Sequence, residues 1–363
     1  MRRHLTTGAI WLLIGSVPHA ANGQTPVPAT PDDTQAIRLG AVIFYDYTVT
    51  QAPKATDAEG RPVTASAFNI TRTYLNVTGT LSRMVSFRLT PDVTRETGTG
   101  SALEGSLTFR LKYAYAQFGL DDWLRAGSFI RAGLQQTLFI DSQESVYRYR
   151  FQGTVFAERD GGLSSADAGV TLRVPLPGEY GDVQAGIYNG EGYNRVEVND
   201  QKSLQLRATV RPAPGGGAVI RGLRLTGFYL ADHASRDAVR HRAIASATFE
   251  HTRFNAGLDI LHRRDQASAA TPVVSSGGVS VFVTPFFNEK GRGLEGLLRL
   301  DHFRPDRDRE GRQRRLIAGL AYWFPHPAGP ATAALLLDFE QVTARSLPQP
   351  RQQRISLHGL INF

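Results

Sequence analysis

The chain ends on Ile355-Ser356-Leu357-His358-Gly359-Leu360-Ile361-Asn362-Phe363, where odd positions are apolar or Gly, even positions lean polar, and the last residue is aromatic. Period-two alternation assigns side chains to opposite faces of a strand. A strand with lipid on one face and water on the other must alternate in this way, and an aromatic ring settles best at the membrane–water boundary. Sixteen such segments can be drawn along the chain, each of about nine to twelve residues, the length a tilted strand needs to cross the hydrocarbon layer. The expected fold is therefore all-β: a transmembrane, antiparallel, up-and-down β-barrel.

Upstream of the first strand, Arg2 and Arg3 precede an apolar run from Leu5 to Val17, then Ala21-Asn22-Gly23. That order reads as a cleavable secretory signal over residues 1–23. Residues 24–35, with three prolines and no periodicity, read as a short periplasmic leader. Residues 36–363 then form one barrel domain, because no linker interrupts the strand signals. The chain has no cysteine, which removes disulfides, thiolate metal sites and thiol nucleophiles together. Its mean hydropathy is slightly polar, at −0.24. A barrel reconciles that value with a membrane, since only alternate residues meet lipid and every backbone group pairs with a neighbouring strand.

The strands are predicted at 36–51, 68–81, 84–95, 102–120, 123–137, 164–176, 182–192, 201–211, 222–233, 241–252, 254–265, 278–288, 293–304, 313–325, 331–343 and 352–363. Connections alternate between short, turn-rich links and longer, more charged ones. The short set belongs at the periplasmic end with both termini, and the long set outside. Arg211 to Arg221, with three glycines, is long for its side. The third outer loop, Ile140 to Leu163, is the longest and carries Tyr147-Arg148-Tyr149-Arg150-Phe151. Loops of that length with such content seldom stay in solvent, so it is expected to fold into the lumen and narrow it.

The formal charge is +8, and only four of the 41 basic residues are lysine (Lys54, Lys112, Lys202, Lys290). An Arg at the lipid midplane costs roughly 2–4 kcal/mol, so charged strand positions must face inward. That rule places Arg72, Arg88, Arg110, Lys112, Arg125, Arg131, Arg173 and Arg207 in the lumen, with Arg211, Arg224, Arg242, Arg263, Arg299, Arg315 and Arg354 further along. The inward acids are Glu104, Asp167, Glu250, Asp259, Glu295, Asp301, Asp338 and Glu340. About half of the arginines are expected to brace the wall against those acids. The rest would raise the local anion concentration, and guanidinium forks suit phosphate and carboxylate oxygens. Arg125 and Arg131, on the strand entering the long loop, and Arg148 and Arg150 on it, are the candidates for a constriction.

Phe68-Asn69-Ile70-Thr71-Arg72-Thr73-Tyr74-Leu75-Asn76-Val77-Thr78-Gly79 followed by Phe87-Arg88-Leu89-Thr90-Pro91-Asp92-Val93, Lys112-Tyr113-Ala114-Tyr115-Ala116-Gln117-Phe118 with Leu124-Arg125-Ala126-Gly127, and Gly186-Ile187-Tyr188-Asn189-Gly190-Glu191-Gly192-Tyr193-Asn194 resemble strands of the phosphate-selective porins of bacterial outer membranes. The resemblance implies a sixteen-stranded homotrimeric porin with an inward third loop and an arginine-lined path. Lysine-rich entrances of that family have no counterpart here beyond Lys54 and Lys202, so general passage of small anionic solutes is the expectation, phosphate among them. Outer-membrane lipid and lipopolysaccharide would surround it.

Other chemistry is thin. The histidines form no His-Glu-x-x-His pattern and no Gly-x-Ser-x-Gly elbow occurs, so no catalytic residues, metal or cofactor are expected. Asp306-Arg307-Asp308-Arg309-Glu310-Gly311 begins like a calcium loop but has Ile317 where a bidentate Glu belongs. Basic residues at strand spacing around an interior do not make a nucleic-acid surface. A barrel enzyme and a plugged structural barrel are the rival classes.

Overall fold

A computed structural model describes residues 35–363 apart from 97, 218 and 327–330. The expected signal and nearly all of the expected leader lie outside the described residues. The sixteen strands are β1 (Ala36–Thr56), β2 (Pro62–Thr80), β3 (Val85–Arg95), β4 (Leu107–Gly119), β5 (Phe129–Gln136), β6 (Ala166–Pro175), β7 (Gly181–Tyr188), β8 (Ser203–Val210), β9 (Leu223–His233), β10 (Val239–Glu250), β11 (Phe254–Asp265), β12 (Val274–Pro285), β13 (Gly293–Arg304), β14 (Arg312–Trp323), β15 (Thr332–Arg345) and β16 (Gln352–Asn362). Each pairs antiparallel with its sequence neighbours, and β1 pairs with β16 to close the barrel.

Burial along the strands is inverted relative to a water-soluble sheet. In β8 the buried positions are Ser203, Gln205, Arg207 and Thr209, while Leu204, Leu206, Ala208 and Val210 are exposed. The inside is polar and the outside apolar, which is the distribution a lipid-embedded wall requires. At the seam, Phe44 pairs with Leu360 and Asp46 with His358. The Phe363 N–H donates to Ala41 O (3.0 Å), and its carbonyl accepts from Ala41 N (2.8 Å). On the outer face, Tyr45 lies opposite Gly359. Its ring covers the place a Cβ would occupy, so glycine is what lets the aromatic lie flat on the closing strand.

The predicted strand count, direction and closure hold, and several boundaries move. β4 begins at 107 instead of 102. The connection into β4 is closed by Glu96 N to Ser106 O (2.8 Å) and Gly105 N to Glu96 O (2.9 Å), with Gly105 at positive φ. Glu104 is thereby an exposed loop residue and not an inward acid. β5 begins at 129 instead of 123. Asp121 accepts from Gly127 N, and Leu124 N donates to Leu120 O (2.7 Å). This side-chain-to-backbone turn consumes residues that alternation alone assigns to a strand.

The buried apolar cluster lies within the barrel. It is built around residues 137–165, which contain helices α1 (Leu138–Tyr147) and α2 (Phe156–Arg159). Tyr147, Tyr149, Phe139 and Phe156 of this segment are among the largest fully buried side chains.

Placing a cation on the outer face tests the inverted polarity. Leu298→Arg, midway along β13, is expected to lower stability in liposomes by roughly 2–4 kcal/mol, whereas Thr343→Arg near a strand end costs about 1 kcal/mol or less. Equilibrium urea unfolding of the refolded barrel measures both.

Candidate functional site

The inward faces differ between the two sides of the barrel. On β10 to β15 they hold the segment 137–165. Gln143 Nε2 donates to Asp259 Oδ2 (2.6 Å), and Gln152 Nε2 to Asp338 Oδ2 (2.9 Å) and Glu340 Oε2 (3.0 Å). Arg299 Nη1 donates to Thr154 O (2.9 Å), and Arg242 Nε to Gly161 O (2.6 Å). Phe139 meets Phe228 and Phe151 meets Phe44 through their rings. A segment that touches β1, β9, β11, β13 and β15 of one closed barrel passes through its interior.

Arg148 is the central fastening. It ends α1 in the left-handed region, at φ 63°, a conformation that costs a residue with a Cβ roughly 1–2 kcal/mol. Its Nη1 sits 3.0 Å from Glu295 Oε2, both side chains fully buried, and its guanidinium stacks 4.4 Å over Trp323. Tyr149 Oη donates to the same carboxylate at 2.9 Å. Arg150 turns back into the loop, 2.7 Å from Glu144 and 3.3 Å from Glu158. Both constriction candidates on the loop therefore hold carboxylates and shape the loop.

Across the lumen, the predicted cations of β2 to β8 fall into two kinds. Arg72 and Arg110 flank one buried carboxylate, Asp92, at 2.5 and 3.0 Å. Both also donate to Tyr193 Oη, at 3.1 and 2.9 Å. Arg173 and Arg207 likewise share Asp182, Arg173 at 3.1 Å. Two cations on one carboxylate leave net positive charge in each group.

The second kind bonds to neutral acceptors. Arg88 donates to Asn76 Oδ1 (2.7 Å) and Thr90 Oγ1 (2.9 Å) and lies 4.7 Å over the Tyr113 ring. Lys112 Nζ donates to Tyr74 Oη (3.0 Å) and lies 4.6 Å over that ring. Arg131 donates to Gln117 and Gln136, each at 2.8 Å, and stacks 4.5 Å over Tyr115. Aromatic faces and amide oxygens orient a cation without cancelling its formal charge. The three residues sit on the adjacent strands β3, β4 and β5, and Arg88 and Arg131 are only partly buried.

Arg125 does not belong to this group. It is exposed in the connection between β4 and β5, at the barrel end opposite the start of the 137–165 segment. Sequence reasoning also missed Asp92 and Asp182, although Arg88, Thr90 and Asp92 share a face by simple alternation. Tyr193 stands in a segment that carries the family resemblance, but alternation gave it no pore role, because it reaches Arg72 and Arg110 from a loop after β7.

In the loop, burial pushes the Asp141 carboxyl above its usual range, with Arg131 and Arg207 pulling the other way. Burial does the same to Glu144, opposed first by Arg150. Burial and the neighbouring Arg299 and Arg315 hold Arg159 down to about 10.

No family model and no curated protein matches the chain. Solved structures do. An anion-selective porin from Comamonas acidovorans is 11% identical over 91% of this chain and 100% of its own, with a TM-score of 0.61. The outer membrane channel DcaP of Acinetobacter baumannii is 12% identical over 91% of this chain and 97% of that one, with a TM-score of 0.60. Outer-membrane expressed OmpT of Vibrio cholerae is 10% identical over 93% and 100%, also with a TM-score of 0.60. At these identities the likeness is one of fold: the chain has the barrel of outer-membrane porins and channels.

Glu295→Gln removes the charge that holds Arg148. Leaving a buried guanidinium uncompensated costs about 3–5 kcal/mol, so the loop is expected to leave the wall while the barrel stays closed. Trypsin should then cut at Arg148 or Arg150 in the variant and spare the wild type, with heat-modified gel mobility reporting that the barrel is intact.

Proposed function

We propose that the chain is an outer-membrane porin that passes small anionic solutes by passive diffusion, along a path between the 137–165 loop and the cationic wall of β2 to β8. The observation that carries this reading is the trio Arg88, Lys112 and Arg131, whose hydrogen bonds run to neutral groups. A row of cations with no carboxylate hydrogen-bond partner on a low-dielectric wall concentrates anions, and weak multi-site contact lets them leave again. The paired groups at Asp92 and Asp182 add to the same field. The loop, held to the other wall, sets the size limit. Export through a cleavable signal and assembly as a homotrimer fit this reading, and one of the solved neighbours is described as anion-selective.

The solute class is small anions in general. Guanidinium forks suit phosphate, but the two lysines expected at the entrance are engaged elsewhere. Lys54 donates to Thr64, and Lys202 lies 3.3 Å from Glu197.

The test is the reversal potential of the refolded protein in a planar bilayer under a salt gradient. Wild type is expected to prefer anions, and Arg88→Gln with Lys112→Gln and Arg131→Gln should reduce that preference roughly twofold or more. Arg125→Gln should leave it unchanged. Preference should also fade as salt rises from 0.1 to 1 M, where the screening length drops from about 10 to about 3 Å. A cation-preferring wild type would sink the proposal, and a barrel without conductance would be a plugged one.

The raised carboxyls add a pH dependence with a fixed sign. A carboxyl held above its usual range is the first to lose its charge as pH falls. Neutralising Asp141 and Glu144 removes negative charge from the loop, so anion preference is expected to rise on acidification. Asp141→Asn should flatten that rise in the same reversal-potential assay.

A further inference from the structure

The outward face also carries charge, most of it on one side. Across β4 to β8 every outward position is Leu, Phe, Ala, Ile, Val or Gly. On β10 to β15 the same apolar band gives way, at the end opposite the termini, to His241, His262, Arg264, His302, Arg304, Arg314 and Arg345. Register aligns them: His241 pairs with Arg264, His302 with Arg314, and Arg312 with Arg345. Arg264, Arg304, Arg314 and Arg345 are exposed. Every Asp and Glu within the sixteen described strands faces inward, so along the strands the belt has no acidic neighbour on its own face; the acids at this end, Asp306, Asp308 and Glu310, are in the loop above it.

Beneath the belt lies a groove of about 540 Å³. Its floor is Val281, Leu300 and Leu316, with Gln341 paired to Leu316, and its upper end is His302, Arg314 and Thr343. Largely apolar below, with cationic and hydroxyl groups above, is the shape of a site for an acyl chain with an anionic sugar head. Arginine forks match phosphate oxygens, and basic residues at a membrane surface are drawn to anionic lipid.

We propose that the β10–β15 belt binds the phosphate groups of a phosphorylated glycolipid, with an acyl chain in the groove. The proposal rests on the outer-membrane reading above, which puts this end of the barrel in the outer leaflet. The test compares wild type with a variant carrying Arg264→Gln, Arg304→Gln and Arg314→Gln. Binding of bisphosphorylated lipid A, phosphatidylglycerol and phosphatidylcholine to the detergent-purified barrel is measured by native mass spectrometry. Wild type is expected to hold lipid A at least tenfold more tightly than either phospholipid, and the variant to lose at least tenfold in lipid A affinity. Equal lipid A binding by the two proteins would overturn the site. Phosphatidylglycerol bound as tightly as lipid A would overturn the glycolipid assignment. A variant that changes oligomeric state with lipid A binding intact would assign the belt to contacts between copies instead. Conductance of the same preparations keeps the two readings apart: a non-conducting wild type that binds lipid A loses the porin reading alone.

Discussion

An unpaired backbone N–H or C=O in hydrocarbon costs several kcal/mol, and the pairing of β1 with β16 is what leaves none at a sheet edge. Everything else follows from that closure. Once the ladder is continuous, side chains are free to invert the usual polarity, with lipid on the outside and water and polar groups within. The reciprocal bonds between Ala41 and Phe363 complete the ring at the end of the chain, and Gly359 beneath Tyr45 lets the tyrosine ring lie flat across the seam.

Closure creates an interior that must be managed. A sixteen-stranded ring is too wide for wall side chains to fill, and the 137–165 segment occupies part of it. The segment is held asymmetrically. Its polar bonds run to Asp259, Glu295, Asp338 and Glu340, so the carboxylates of β11 to β15 are used in docking the loop. The cations of β2 to β8 are left facing it. The loop's own Asp141 and Glu144 lie within the field of those cations, so the way the loop is fastened sets how much of their charge is offset. One carboxylate, Glu295, supports both the left-handed turn at Arg148 and the hydroxyl of Tyr149.

Much of the barrel was legible in the sequence because lipid and water impose period two directly on the residues. β8, β11 and β13 alternate so regularly that their extents could be read to within two residues. The failures came where a local interaction outcompeted alternation. Leu124 and Arg125 fit a strand pattern, yet Asp121 captures Gly127 and bends the chain into a turn. Leu103 and Glu104 were lost to a loop in the same way. In the pore, Asp92 was visible in principle from its face-mates Arg88 and Thr90, but its sharing between Arg72 and Arg110 was not.

The sequence by itself determined that this chain makes a closed barrel of sixteen strands with its mid-strand cations inward, since lipid on one face leaves no other place for them there. It could not decide which cations find a carboxylate hydrogen-bond partner. That depends on distances between strands far apart in the chain: Arg148 finds Glu295 across the lumen, whereas Arg88, Lys112 and Arg131 find amides, hydroxyls and aromatic rings. Pairing is a property of three-dimensional proximity, and alternation reports only the face on which a side chain stands.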